Sequence, residues 1–387
     1  MIRSILAACA LLLLTVTTAV AYDTKATAAY VLDQNTGTVL LSKNAEEPLP
    51  PASMSKLMTI YMTFEAVQDG RLKLDDRLPV SEHAMSYGGS TMFLDTTDRP
   101  TVEDLIRGMI VMSGNDACVV VAEALSIDGT EAGFARMMTA RGREMGMTHS
   151  VFTNASGWPE PGHRMSMKDL AILADRLIKD YPTFYPLFAE EKFEFDGRAP
   201  QNTRNRNPIL GMDIGADGLK TGHTREAGFG LVGSAKQGDR RVIFVITGLD
   251  TAAERAAESR RIVKWAFRQF AEKQVATADT VLAEAEVWNG ATATVGLTPE
   301  EDLNILVPIL DRDKIVSEVV YQGPIEAPIT AGERYGELVI RLPDLPERRV
   351  PLVAATDVEQ GGFLPRMRTV TQVLWRQWSE TQTEEPS

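Results

Sequence analysis

Strand-like runs lie at both ends of the first 270 residues of this chain, and a helical tract separates them. Ala28 to Asp33 and Thr38 to Ser42 read as two strands, with a hairpin turn at Gln34-Asn35-Thr36-Gly37. Gly218 to Thr224, Phe229 to Ser234 and Val242 to Leu249 read as three more, the last two joined at Gln237-Gly238-Asp239. Between the two sets, Val102 to Met112, Ala117 to Leu125, Glu131 to Met145 and a stretch from Ser166 towards Asp180 carry helical patterning. Thr251 to Phe270 adds a long helix after the last strand. This order predicts an α/β domain whose single sheet is built from both ends of the segment.

The character changes near Val275. From there to about Thr356 the apolar runs are short and broken by turns: Ala293 to Val295, Ile305 to Val307, Ile315 to Tyr321, Leu338 to Ile340 and Val350 to Val353. That spacing predicts a small all-β sandwich or barrel. Gly361 to Trp378 is helical again: Phe363, Met367, Val370, Leu374 and Trp378 recur at helical spacing, with Arg366, Arg368, Trp375 and Arg376 among them. The pattern predicts an interfacial membrane anchor, the alternative being a helix packed on the β domain. At the other end, Met1-Ile2-Arg3, an apolar stretch and Ala19-Val20-Ala21 form a secretory signal with a mature start at Tyr22. Leu6-Ala7-Ala8-Cys9 resembles a lipoprotein cleavage box but comes before the apolar run has developed. The expected division is a leader over 1–21, an α/β domain over 22–272, a small all-β domain over 275–356 and an amphipathic anchor over 361–378.

A net charge of −13 argues against nucleic acid as a partner. Once the leader is removed Cys118 is the sole cysteine, so no intramolecular disulfide forms, and inside a helix it reads as a small buried apolar residue. His83, His149, His163 and His223 are scattered without metal-ligand spacing, so no metal is expected. The oligomeric state is not legible.

Three short motifs carry chemistry. Pro50-Pro51 fixes an extended approach to a helix along which Leu57, Ile60, Tyr61, Phe64 and Val67 recur until Gly70 stops it. Ser53 and Lys56 stand three residues apart at its start, so their Cβ atoms are roughly 5–6 Å apart on one face. A lysine there is pushed towards its neutral form by the positive helix end and by burial, and a neutral amine can take a serine's proton. The competing reading makes Ser53 a helix cap and Lys56 a solvated charge. Ser-x-x-Lys occurs by chance about once in a chain this long, so the spacing alone decides nothing. Ser113-Gly114-Asn115 at a helix junction is ordinary turn chemistry when taken singly, and Lys220-Thr221-Gly222 places a glycine in a strand, where another backbone or a ligand can approach closely.

In the order Ser-x-x-Lys, Ser-x-Asn, Lys-Thr-Gly, the three together are the motif set of penicillin-binding proteins and related β-lactamases. The first 270 residues resemble the exported serine-type D-alanyl-D-alanine carboxypeptidases, low-molecular-mass penicillin-binding proteins of the S11 peptidase family, class C type-5. The likeness extends over Ala52-Ser53-Met54-Ser55-Lys56-Leu57-Met58-Thr59, Ser113-Gly114-Asn115-Asp116-Ala117-Cys118 and Asp217-Gly218-Leu219-Lys220-Thr221-Gly222-His223-Thr224. The resemblance implies a β-lactamase/transpeptidase-like domain with an antiparallel sheet flanked by helices. It also implies a cofactor-independent enzyme that trims peptidoglycan pentapeptides, is acylated by β-lactams, and sits in the periplasm on the outer face of the inner membrane.

By the same resemblance Ser53 is the nucleophile, Lys56 its base, and Ser113 a proton relay held by Lys220. Asn115 orients Lys56 and binds the substrate amide. Lys220 and Thr221, in the strand with Gly222, hold the terminal carboxylate, and the backbone N–H groups of Ser53 and His223 form the oxyanion hole. Arg206 aligns with an arginine near the carboxylate pocket, a structural ion pair being the alternative. His163 is expected to tie down its loop. Thr96-Thr97-Asp98-Arg99 and Gly88-Gly89-Ser90-Thr91 depart from the family's pattern in loops outside these roles. The rivals are a β-lactamase, for which Glu160 is the available acidic base, a D,D-endopeptidase, and a non-catalytic wall-binding protein.

Overall fold

The structure, a computed structural model, describes residues 22–309, 315–342 and 347–362. The leader expected over 1–21, and all of the helix expected over 361–378 except Gly361 and Gly362, fall outside them.

Strands β1 (Ala28–Asp33) and β2 (Val39–Lys43) form the N-terminal hairpin. The helical tract follows as α1 (Lys56–Gln68), α2 (Glu82–Met85), α3 (Val102–Arg107), α4 (Asn115–Leu125), α5 (Glu131–Glu144) and α6 (Met167–Asp180). The chain then returns to the sheet as β3 (Ala216–Thr224), β4 (Gly228–Gln237) and β5 (Arg240–Leu249) before α7 (Ala252–Gln269). The sheet order is β2-β1-β5-β4-β3, every neighbouring pair antiparallel, so the two ends of the domain meet where β1 pairs β5.

Both faces of this sheet are covered, which is why β5 reads as a continuous apolar run rather than an alternating one. Phe244 and Ile246 pack with Ile262, Val263 and Ala266 of α7. Ile243 and Val245 pack with Leu170, Ala171 and Leu173 of α6. On that second side α1 lies inside the domain. Lys56, Thr59 and Thr63 are as fully buried as Leu57, Ile60 and Phe64. A helix buried all round shows no polar stripe.

The stretch expected as one helix over Val102 to Met112 is divided. It runs as α-helix to Arg107, widens to a π turn over Gly108–Met112, and ends at Ser113 in the left-handed region (φ 61°, ψ 35°). Gly108 seats against Met92, whose Sδ would lie 2.1 Å from a Cβ there, so a larger residue would require the Met92 side chain to move. The polar segment before Met212 hides a short 3-10 turn, Tyr185–Ala189, that buries Tyr185 and Phe188.

The all-β part begins directly after α7. Strand β6 (Phe270–Ala276) pairs antiparallel with β9 (Leu303–Pro308), so the change from helix to strand falls at Phe270 rather than near Val275. Alternation was not visible there because residues 272–275 are all exposed. A six-stranded sheet completes it, combining β7 (Ala283–Trp288), β8 (Thr294–Pro299), β10 (Val316–Tyr321), β11 (Ile325–Glu326), β12 (Arg334–Arg341) and β13 (Arg348–Ala354) in the order β10-β12-β13-β8-β7-β11. Val295, Leu297, Ile305, Leu338, Ile340 and Leu352 belong to its separate core.

Candidate active site

Ala52–Ser55 is a 3-10 turn, and Lys56 opens α1 from it. Neither the turn nor α1 has a side-chain cap, so the capping reading of Ser53 does not hold. Ala52 takes φ 48°, a left-handed value that costs a non-glycine residue about 1–2 kcal/mol. Edge strand β3 closes against this turn. A Cβ on Gly222 would lie 2.8 Å from the Pro51 carbonyl oxygen, so only glycine lets strand and turn approach this closely.

Lys56 is fully buried, which removes the reading of it as a solvated charge. Its Nζ lies 2.6 Å from Asn115 Oδ1, 2.6 Å from the Ser156 carbonyl oxygen and 3.1 Å from Ser53 Oγ. The Asn115 amide donates through Nδ2 to the Gly88 carbonyl at 2.8 Å, which fixes Oδ1 as the atom facing Lys56. Oδ1 and the Ser156 carbonyl can only accept. A neutral Lys56 amine gives them its two N–H groups, and its lone pair is left for the hydroxyl of Ser53. Burial is the main cause that brings the Lys56 ammonium down to about 8; Arg206 adds to it, while Cys118, Asp116 and Glu131 oppose it.

Across the cleft, Lys220 Nζ on β3 donates to Ser113 Oγ at 2.9 Å and to the Thr221 carbonyl at 3.3 Å. The left-handed Ser113 backbone presents that hydroxyl at the junction before α4. Lys220 is also fully enclosed, and burial, then Lys56 and Arg206, hold it well below the usual lysine range. Thr221 is buried beside it, whereas the His223 side chain is exposed and stacks on Phe229 at 3.8 Å. Arg206 donates to Ser90 Oγ (2.7 Å), Asn202 Oδ1 (2.7 Å) and the Met112 carbonyl (3.3 Å). No carboxylate pairs with Arg206 among the described residues, so the ion-pair alternative does not describe it.

Sequence reasoning missed three contributors. Arg255, in the first turn of α7, is buried over the Phe229 ring, its Nε without a partner among the described residues, and donates to the Gly230 and Arg206 carbonyls. Burial and Arg206 lower it to about 10. Its only signal was an arginine on a buried helix face. The Ser156 and Gly88 carbonyls act through the backbone and leave no side-chain pattern. The Ser156 loop is shaped by Asn154, whose Oδ1 accepts from the amides of Ser156, Gly157 and Trp158 at 2.8–3.2 Å.

His163 ties this loop to the Ala52–Ser55 turn. The Thr153 amide donates to Nδ1, which leaves the proton on Nε2 to be donated to Ser55 Oγ at 2.7 Å. Burial, with help from Lys56 and Arg164, lowers His163 to about 4. An unfolded histidine titrates near 6.5, so between these values the unfolded chain holds the extra proton. This contribution is complete above pH 6.5 and is lost as pH falls towards 4, about 3 kcal/mol in all. A His163→Gln variant should therefore show a shallower fall in urea midpoint over that window than the wild type; parallel curves would contradict the assignment.

Comparison with known proteins places the fold. Penicillin binding protein 5 from Haemophilus influenzae superposes with a TM-score of 0.76 at 30% identity, over 88% of this chain and 99% of that one. The fold is that of the penicillin-binding proteins, an α/β catalytic domain followed by an all-β domain. Residues 15–251 match the family model described as D-alanyl-D-alanine carboxypeptidase, and residues 270–360 match that of the penicillin-binding protein 5 C-terminal domain. The D-alanyl-D-alanine carboxypeptidase DacF of Bacillus subtilis is 33% identical over 347 residues, 88% of this chain and 87% of that protein. Penicillin-binding protein D2 from Listeria monocytogenes, solved in an ampicillin-bound form, is 31% identical with a TM-score of 0.56, over 62% of this chain and 97% of that one. The chain belongs to the D-alanyl-D-alanine carboxypeptidase family.

Proposed function

We propose that this enzyme removes the terminal D-alanine from peptidoglycan pentapeptide stems through an acyl-enzyme on Ser53. The observation that carries the reading is the arrangement of Lys56, whose two N–H groups have acceptor-only partners and whose lone pair is left for Ser53 Oγ. Lys56 takes the hydroxyl proton as Ser53 Oγ bonds to the carbonyl carbon of the penultimate D-alanine. The peptide C–N bond then breaks, and Ser113, held by Lys220, passes a proton to the departing amine.

Lys220 and Thr221 receive the substrate carboxylate, whose charge favours the ammonium form of Lys220. Asn115 binds the substrate amide and Gly222 gives β3 its close approach to the nucleophile. The N–H groups of Ser53 and His223 stabilise the oxyanion, so the exposed imidazole of His223 has no part in the chemistry. Arg206 and Arg255 add positive charge on the carboxylate side. Water then hydrolyses the ester and releases the shortened stem.

A β-lactam resembles the D-Ala-D-Ala end, and attack of Ser53 on its ring amide would open the ring and leave the drug as an ester on Ser53, a reading supported by the ampicillin-bound Listeria relative. Fast hydrolysis of the drug, as in a β-lactamase, would need a base aimed at the ester. Glu160 is exposed and its carboxylate accepts from Asn154 Nδ2 at 3.0 Å, which disfavours that role. Purified mature protein should release D-alanine from a linear pentapeptide faster than it cuts crosslinked dimers; the reverse preference would make it an endopeptidase.

The reading extends to location: an exported enzyme held peripherally on the outer face of the inner membrane by the helix expected over 361–378, where it regulates crosslinking and cell shape. Among the described residues no helix is long and apolar enough to cross a membrane. Deleting Gly361 to Ser387 should move the protein from the membrane to the soluble fraction of fractionated cells. Full membrane association of the deletion would end the anchor reading.

A further inference from the structure

Behind the cleft, one buried carboxylate gathers three donors from two separate segments. Glu131, 7% exposed, opens α5. Its Oε2 accepts from Tyr87 Oη at 2.7 Å and from His83 Nε2 at 2.9 Å, and its Oε1 accepts from the Ala155 amide at 2.9 Å. Two of these donors sit one residue before a carbonyl that holds a side chain of the site. Ala155 precedes Ser156, whose carbonyl accepts from Lys56 Nζ, and Tyr87 precedes Gly88, whose carbonyl accepts from Asn115 Nδ2. The Ala155 peptide is fixed from its other side too, because its carbonyl accepts from Thr59 Oγ1 on α1 at 2.6 Å. The Tyr87 ring meets Trp158 edge-on at 5.9 Å, joining the same two loops.

We propose that Glu131 is a positioning residue for acylation, holding in one geometry the Ser156 and Gly88 carbonyls that set the lone pair of Lys56 on Ser53 and the amide of Asn115 in the cleft. The inference rests on Lys56 being the base. A carboxylate suits the task because it accepts at both oxygens at once, whereas an amide has a single acceptor oxygen. Misplacing a reacting group by about 1 Å can cost 10²-fold in rate. Glu131 also acts on Lys56 through its charge. The groups that shift Lys56 besides burial are Cys118, Asp116 and Glu131, which favour its ammonium, and Arg206, which opposes it. His83 and Tyr87 face Glu131 itself.

The test measures the second-order rate of penicillin acylation across pH, with kcat and KM for D-alanine release, in the full mature protein and its Glu131→Ala, Glu131→Gln and Tyr87→Phe variants. Glu131→Ala should slow acylation about 10–100-fold, with the loss in kcat rather than KM. Glu131→Gln, which can still accept from the Ala155 amide, should recover most of the rate. Its acid limb should move to lower pH, because a negative charge that favours the Lys56 ammonium is gone. Tyr87→Phe, which loses one hydroxyl and keeps the ring, should show a smaller loss and reports on the same link if Glu131→Ala does not fold. Wild-type acylation rates in Glu131→Ala, or in Tyr87→Phe where that variant stands in for it, or an unmoved acid limb in Glu131→Gln, would overturn the proposal. A wild-type protein that forms no adduct on Ser53 would instead sink the nucleophile assignment beneath it.

Discussion

Ser53→Ala is expected to abolish covalent labelling by penicillin and to lower D-alanine release by about 10⁴–10⁶-fold, the range seen when the nucleophile of a covalent hydrolase is removed. The loss should be chemical rather than structural. Ser53 is half-buried, caps no helix, and among the described residues its hydroxyl has one hydrogen-bond partner, Lys56 Nζ, so stability should change by no more than about 1 kcal/mol. Lys56 keeps its Asn115 and Ser156 partners in the variant, and the stem peptide still meets Lys220 and Thr221. The variant should therefore bind substrate without turning it over. Comparable midpoints in urea with no turnover would separate the two effects, and a variant that keeps both labelling and trimming would end the nucleophile assignment.

Lys56→Arg should be nearly as damaging, with a loss of about 10²–10⁴-fold, the usual worth of a general base. Arginine keeps the positive charge and can donate to Asn115 Oδ1 and the Ser156 carbonyl, but its guanidinium does not lose a proton in the accessible range. The wild-type pH profile supplies the sign. Burial pushes the Lys56 ammonium down to about 8, and only the neutral amine can take the Ser53 proton, so kcat/KM should climb as pH rises to about 8 and level off above it. The variant should lack that rise. A wild-type acid limb that persists unchanged in Lys56→Arg would assign it to another group.

The motifs and the sheet were legible because each rests on short-range pattern. Val242 to Leu249 reads as a strand from its apolar run, and the Ser-x-x-Lys spacing places two side chains on one helical face whatever surrounds them. What the pattern could not carry is set by tertiary contacts. The π turn over Gly108–Met112 looks like a continuation of α3, because its apolar residues are buried throughout and its sequence carries no break. Strand β6 was hidden by the exposed run 272–275. At the site, the two bonds that direct the Lys56 lone pair go to Asn115, 59 residues away, and to the backbone of Ser156, 100 residues away. A backbone carbonyl has no residue type, so no motif could have named the second. Arg255 was missed for a related reason, since its burial against Phe229 and its approach to the Arg206 carbonyl come from the packing of α7 on the sheet.

The central claim is that Ser53, made nucleophilic by the neutral amine of Lys56, forms an ester with the acyl group of its substrate. Intact-mass measurement of the mature protein after exposure to penicillin, followed by peptide mapping, tests it most directly. The account predicts one added drug mass, located on the peptide containing Ser53 and absent from Ser53→Ala. An unmodified protein, or an adduct mapped to Ser113 or any other residue, would contradict it.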